Sequence, residues 1–143
     1  MFIGEYHFTI DNKGRMAIPS KLRKELMQEG VLTRGLDNCL FLYTHNDWEQ
    51  IAEKIKNLPL SQTNARAFSR LMLAGAMEVE MDGQGRILIP EYLRQYAHLN
   101  KKVVLAGVYN RLEIWDEAEW ENYKIKTEKD STDIAEKLGD LGI

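Results

Sequence analysis

A nine-residue pattern that contains an acid, a glycine and an arginine occurs twice in the chain. Its form is D-x-x-G-R-x-x-I-P, and it spans residues 11–19 and again residues 82–90. The acid and the glycine predict a tight turn, because the carboxylate can bond nearby backbone amides and Gly14 or Gly85 can adopt a positive φ. Such a turn does not need the arginine that follows. A planar guanidinium in that place suits phosphate oxygens or the O6/N7 edge of guanine.

The repeated arginines allow two interpretations. In the first, Arg15 and Arg86 lie on one face of the protein and bind nucleic acid. In the second, each arginine forms an ion pair with the acid of its own turn, Asp11 or Asp82, and only stabilises that turn. The two are compatible, since an acid can orient an arginine that reads a base.

Further basic residues surround the turns, mostly in the first copy of the pattern. The candidate phosphate-binding side chains are Lys13, Lys21, Arg23 and Lys24 in the first copy and Arg94 in the second. Gln84 stands where the first copy has Lys13. We therefore expect the first copy to make the stronger contact with nucleic acid.

The two patterns belong to a longer internal repeat. At an offset of 71, eight of the twenty positions from 4 to 23 are identical, and at an offset of 72 the match continues to Trp48 and Trp120. Alternating apolar residues and turn signals predict β-turn-β-α-β-turn-β in each copy. A unit of about 45 residues rarely folds alone. The sequence thus predicts a mainly β, α+β fold in which two copies pair into a barrel with a pseudo-two-fold axis.

Four segments follow from this repeat. They are a first β-α-β unit at 5–47, a helical connector at 48–75, a second unit at 76–119, and a C-terminal helix with an acidic tail at 120–143. The stretch from Thr127 onward is highly charged, and its large apolar residues are Ile134, Leu138, Leu141 and Ile143. We expect that stretch to fray or to dock weakly.

Composition limits the class of function. The net charge is −3, but residues 116–143 hold nine acids and four bases, which leaves 15 bases and 13 acids in the rest of the chain. A mildly basic body is compatible with a polyanionic partner. The single cysteine, Cys39, excludes an internal disulfide, and no metal-binding, catalytic or membrane-spanning pattern occurs. We expect a cytoplasmic protein with no cofactor, no metal, no membrane partner and no enzymatic activity.

Several stretches closely resemble the bacterial MraZ proteins, and together they cover nearly the whole chain up to about Tyr123. They are residues 1–6, 11–15, 33–37, 39–40, 65–66 and 82–87. The resemblance implies two AbrB-like swapped-hairpin half-barrels packed as a pair. It also implies a nucleoid-associated transcription factor that forms octameric or dodecameric rings and binds short direct repeats of double-stranded DNA in its own promoter. The family's acid–arginine feature maps onto Asp11 with Arg15 and onto Asp82 with Arg86.

The favoured hypothesis is therefore a sequence-specific DNA-binding repressor of its own promoter and of the division and cell-wall gene cluster. A different class of function is a structural oligomerisation module, in which the arginines serve subunit contacts and the acidic tail recruits a protein. An antitoxin-like protein is a third option, which would need a toxin-binding tail.

Overall fold

The computed structural model describes residues 1–142, which form a β-rich α+β fold. The strands are β1 (Phe2–Thr9), β2 (Arg15–Ala17), β3 (Glu29–Arg34), β4 (Leu40–Tyr43), β5 (Met77–Glu80), β6 (Arg86–Leu88), β7 (Lys102–Tyr109) and β8 (Leu112–Asp116). The α-helices are α1 (Ser20–Leu26), α2 (His45–Lys56), α3 (Thr63–Ser69), α4 (Glu91–Tyr96), α5 (Glu117–Lys129) and α6 (Ser131–Lys137). A π-helical segment, Arg70–Ala74, follows α3, and a 3-10 turn, Gly139–Leu141, follows α6.

The two copies exchange strands. The large sheet has the order β1-β7-β8-β4-β3-β5, and β2 pairs with β6 in a separate two-stranded ribbon, with every pairing antiparallel. The first strand of each copy thus pairs with the third strand of the other copy, β1 with β7 and β5 with β3. The within-copy pairings are those of the β3–β4 and β7–β8 hairpins. The mainly β, α+β fold predicted from the sequence is confirmed.

The β2–β6 ribbon connects the two edges of the large sheet. At one edge, a bridge between Ile10 and Met16 joins β1 to β2. At the other edge, the backbone N–H of Asp82 donates to the carbonyl of Arg86 at 2.9 Å, where β5 leads into β6. The ribbon is thus joined to β1 and β5, which are the two edge strands of the large sheet.

A single apolar core fills the space between the ribbon and the sheet. Alternate ribbon residues point into it, and Met16 and Ile87 are at most 1% exposed. Leu42 from the first copy and Leu105 from the second are fully buried in the same cluster. The boundaries 5–47 and 76–119 stay a prediction about sequence units, because both units contribute to this one core.

A second, smaller core lies under the connecting helices. Trp48 of α2 and Trp120 of α5 pack against it, and Trp120 contacts Trp115 with ring centroids 5.3 Å apart. Both helices begin at a side-chain cap. Thr44 accepts a hydrogen bond from the backbone N–H of Asp47, and Asp116 accepts one from Glu119. Such caps satisfy amides that have no partner inside the helix.

The C-terminal tail is helical, and its apolar residues Ile134, Leu138 and Leu141 are exposed, which is compatible with the expected weak docking. Helix α5 has acidic residues in its first turn and lysines in its last turn, and both charges interact favourably with the helix dipole. The pattern of apolar residues alone does not indicate this stabilisation. Neither α5 nor α6 has a buried residue in the described part of the chain. Within residues 1–142, none of the helices has the length and apolar character that crossing a membrane requires.

Candidate nucleic-acid interface

The β2–β6 ribbon places Arg15 and Arg86 on the same side of the protein. Arg15 lies opposite Leu88, and Ala17 lies opposite Arg86. Opposed residues of an antiparallel pair project from the same face, so these four side chains share the outer face of the ribbon. The two arginines are diagonal neighbours across the ribbon, and the Cα atoms of such neighbours are about 7–8 Å apart in an antiparallel pair. Both are partly exposed, with 32% of the Arg15 side chain and 28% of the Arg86 side chain accessible.

In the first turn the aspartate holds both the backbone and the arginine. Asp11 Oδ1 accepts the backbone N–H groups of Lys13 and Arg15, each at 2.9 Å, and its Oδ2 accepts Nε–H of Arg15 at 2.7 Å. Gly14 has a φ of +82°, which the turn requires and which glycine adopts without strain. The turn is thus an acid-centred loop that sets the direction of one guanidinium.

The second turn repeats this geometry. Asp82 Oδ1 accepts the backbone N–H groups of Gln84 and Arg86 at 2.8 and 3.0 Å, and its Oδ2 accepts Nε–H of Arg86 at 2.9 Å. Among residues 1–142, the Nη groups of Arg15 and Arg86 donate no hydrogen bond, and only Nε of each guanidinium does. Each aspartate therefore occupies the Nε side of an arginine and leaves the Nη side for an external acceptor. Both interpretations of the repeated arginines fit this geometry.

These hydrogen bonds also hold the aspartates in the charged form. The pKa of Asp11 is lowered from its ordinary value of 3.8, chiefly by the backbone N–H of Arg15, and the pKa of Asp82 is lowered chiefly by the backbone N–H of Arg86. A carboxylate whose pKa is lowered by folding stabilises the folded protein at pH values above its ordinary pKa. That stability is lost as the pH falls through the folded-state value.

The double variant Asp11→Asn, Asp82→Asn should therefore lose less stability on acidification than the wild type. We expect a flatter decline in the free energy of unfolding from about pH 5 downward, measured by urea unfolding at several pH values. Asp140→Asn, in the exposed 3-10 turn at the C-terminus, is the control and should keep the wild-type slope. A double variant with the wild-type slope would contradict a role for these carboxylates in holding the turns.

The predicted phosphate-binding residues divide into two groups. Lys13, Lys21 and Lys24 are exposed, and none forms an ion pair with another residue of the described chain. Arg23 and Arg94 are only partly exposed, and each lies against the turn of the opposite copy. The three lysines are thus available to phosphates around the first turn, whereas the two arginines already have neighbours within the protein.

The ribbon also exposes a residue that the sequence analysis missed. Leu88 is 55% exposed on the outer face, opposite Arg15. It stands between Ile87 and Ile89, which are both buried. Strict alternation along β6 should have placed Leu88 outward, beside the arginines. An apolar side chain there can contact the methyl group of thymine.

One group among the described residues has the composition of a cation site, on the outer side of β1. Glu5, His7 and Glu121 have ligand atoms within 4.8 Å of one another. The two ring nitrogens of His7 already form hydrogen bonds, with Glu5 at 3.0 Å and Glu117 at 3.3 Å. These contacts raise the pKa of His7, with Glu117 as the largest cause. They join strand β1 to helix α5, so we assign the group to packing of the C-terminal helix.

The fold and the ribbon together define a class of protein: a tandem repeat whose two copies exchange strands and present paired arginines on one face. Comparison with known proteins narrows this class. A family model described as "MraZ protein, putative antitoxin-like" matches residues 1–71 and again 72–141. The division between the matches falls between the two copies of the repeat. The chain belongs to the MraZ family.

Curated relatives of the same length share about half of the residues. "Transcriptional regulator MraZ" of Caldanaerobacter subterraneus subsp. tengcongensis is 51% identical over 143 residues, which is all of both chains. The proteins with the same name from Natranaerobius thermophilus and a Thermoanaerobacter species are 50% and 52% identical, again over the full length of both chains. The role in these names is not enzymatic, in agreement with the sequence analysis.

Proposed function

We propose that the protein is a transcriptional regulator that binds double-stranded DNA through the outer face of the β2–β6 ribbon. The observation that carries this proposal is the common face of Arg15 and Arg86, each held at Nε by an aspartate with its Nη groups unbonded within the described chain. The names of the relatives support the role of transcriptional regulator.

A two-stranded antiparallel ribbon such as β2–β6 is an element that the major groove of DNA can admit. That groove is about 12 Å wide and admits a two-stranded β-ribbon, and arginine is the side chain that most often reads the O6/N7 edge of guanine there. Lys13, Lys21 and Lys24 would bind phosphates on the flank of the first turn. Phosphate contacts fix the register of a protein on DNA, whereas the arginines would supply the sequence preference.

One subunit offers few contacts, so we propose that several copies bind together. Linked subunits on regularly spaced sites gain affinity because the later contacts are intramolecular. The family resemblance supports a ring oligomer on short direct repeats, at the protein's own promoter and the division and cell-wall gene cluster, with repression as the effect. It also supports a place in the nucleoid.

Recovery of genomic fragments on the purified protein, followed by sequencing, tests this function. We expect fragments that contain short direct repeats. Affinity for them should fall with salt at a log–log slope of about −3 for each bound subunit, if three lysines neutralise three phosphates. Recovery without any enriched sequence, together with an oligomer that dissociates in Arg15→Ala, would instead support the structural oligomerisation module.

A further inference from the structure

Arg23 reaches from the first copy onto the turn of the second. It leaves helix α1, and its Nε donates to the carbonyl of Ile18 at 2.7 Å. A Cβ added at Gly85 would overlap its guanidinium, with Nη1 only 2.7 Å away. The backbone N–H of Ile18 also donates to the carbonyl of Gly85 at 2.9 Å. The Arg23 guanidinium therefore lies against the peptide of Gly85, the residue directly before Arg86.

The second copy contains the same contact in the opposite direction. Arg94 is the repeat equivalent of Arg23, and its guanidinium lies against Gly14, where an added Cβ would be 2.8 Å from Cζ of Arg94. The backbone N–H of Ile89 donates to the carbonyl of Gly14 at 2.9 Å. Gly14 directly precedes Arg15. Two side chains far apart in sequence thus make equivalent contacts across the pseudo-two-fold axis.

We propose that Arg23 and Arg94 are positioning residues, each of which holds the arginine-bearing turn of the opposite copy. In this assignment Arg94 sets the direction of Arg15, and Arg23 sets the direction of Arg86. It rests on the proposed function, in which the turns contact DNA. It replaces the interpretation of Arg23 and Arg94 as phosphate contacts.

The proposal explains why both turns need glycine beyond its positive φ. A planar guanidinium can approach a peptide closely only where no Cβ intervenes. A displacement of the Gly14 peptide moves the backbone of Arg15, and with it the Nη groups that the Asp11 contact orients. Base recognition depends on such placement to within about half an ångström.

Spectra of the free protein test the positioning role without DNA. In ¹H–¹⁵N correlation spectra, Arg94→Ala and Arg94→Lys should both shift the Gly14 amide and the Arg15 Nε–H signals, because lysine lacks the planar fork. Arg23→Ala and Arg23→Lys should shift the Gly85 and Arg86 signals in the same way. Lys24→Ala, an exposed lysine on α1, is the matched control and should leave both glycine amides in place.

DNA binding then separates positioning from a phosphate contact. Arg94→Lys keeps the charge, so a phosphate contact would keep its affinity, and Arg94→Ala would lower the salt slope by about one. For a positioning residue we expect both variants to lose about tenfold in repeat-specific affinity, inside the range that one arginine–guanine pair supplies, with an unchanged salt slope.

Unmoved Gly14 and Gly85 amides in the lysine and alanine variants would overturn the proposal, and so would full rescue of specific binding by lysine. If the wild-type protein binds no DNA, the proposed function fails. The glycine shifts still decide whether these arginines hold the opposite turns, so the two failures are distinguishable.

Discussion

Replacing Arg15 with alanine is expected to abolish repeat-specific DNA binding while the fold stays intact. A bidentate arginine–guanine pair contributes about 1–3 kcal/mol of discrimination, or about five- to 150-fold for each contact. Several subunits on adjacent repeats multiply this loss. The fold should persist, because the Asp11 carboxylate still accepts two backbone N–H groups of the turn. Gel shifts on a recovered repeat fragment, with thermal unfolding of the same samples, measure both effects.

Three further variants sharpen this prediction. Arg15→Lys should retain weak, salt-sensitive binding but lose the preference for the repeat, because an ammonium group cannot bond a base edge through a planar fork. Arg86→Ala should cost less than Arg15→Ala, since Gln84 stands where the first turn has Lys13. Lys137→Ala in the C-terminal helix α6 removes the same charge and should change nothing. Unchanged affinity in Arg15→Ala would reject the role of this residue in DNA recognition.

Truncating Leu105 to alanine should destabilise both copies of the repeat together. Leu105 is fully buried in β7, opposite Tyr6 of the first copy and Ile114 of the second. Removing a buried leucine side chain costs about 2–5 kcal/mol, from lost transfer free energy and the cavity that remains. Because β7 completes the pairing of β1, we expect one cooperative transition for the whole core. Urea unfolding at a fixed protein concentration measures the loss.

The indole N–H signals of the three tryptophans follow unfolding at positions from both halves of the chain. Trp48 follows the first copy, Trp115 lies within the second copy, and Trp120 follows it. Within each protein, all three signals should disappear over one common range of urea. This range should lie at lower urea in Leu105→Ala than in the wild type. Leu60→Ala, at a side chain 81% exposed, is the control and should stay within about 0.5 kcal/mol of the wild type. A Trp48 signal that outlasts the other two would contradict a shared core.

The internal repeat revealed most of the local structure. Alternation at Met16 and Ile18 predicted a strand with one buried side, and the acid and glycine of each turn predicted its geometry. The residues themselves could not reveal the exchange of strands. An alternating pattern identifies which face of a strand is buried, but it does not identify the neighbouring strand. Val31 and Val103 would be buried equally well beside any strand that pairs in the same register. The resemblance to the MraZ proteins supplied that part.

The interface was predicted less completely than the fold. Arg15 and Arg86 stand out because a turn has no need of them, and the structure places them on one face. Arg23 and Arg94 have the spacing of ordinary helix surface residues. Their contacts with Gly85 and Gly14 of the opposite copy therefore cannot be predicted from the sequence of either copy alone. Only the pairing of the copies brings them there.

Strand exchange also bears on how the protein is synthesised. A ribosome that has released β1 to β4 has made a first strand whose partner, β7, does not yet exist, since Phe2 pairs with Tyr109. The β3–β4 hairpin can form early, but Phe2 and Leu42 stay exposed until the second half emerges. Folding therefore completes only late in translation, and until then the nascent chain exposes apolar surface and an unpaired strand edge, which favour aggregation.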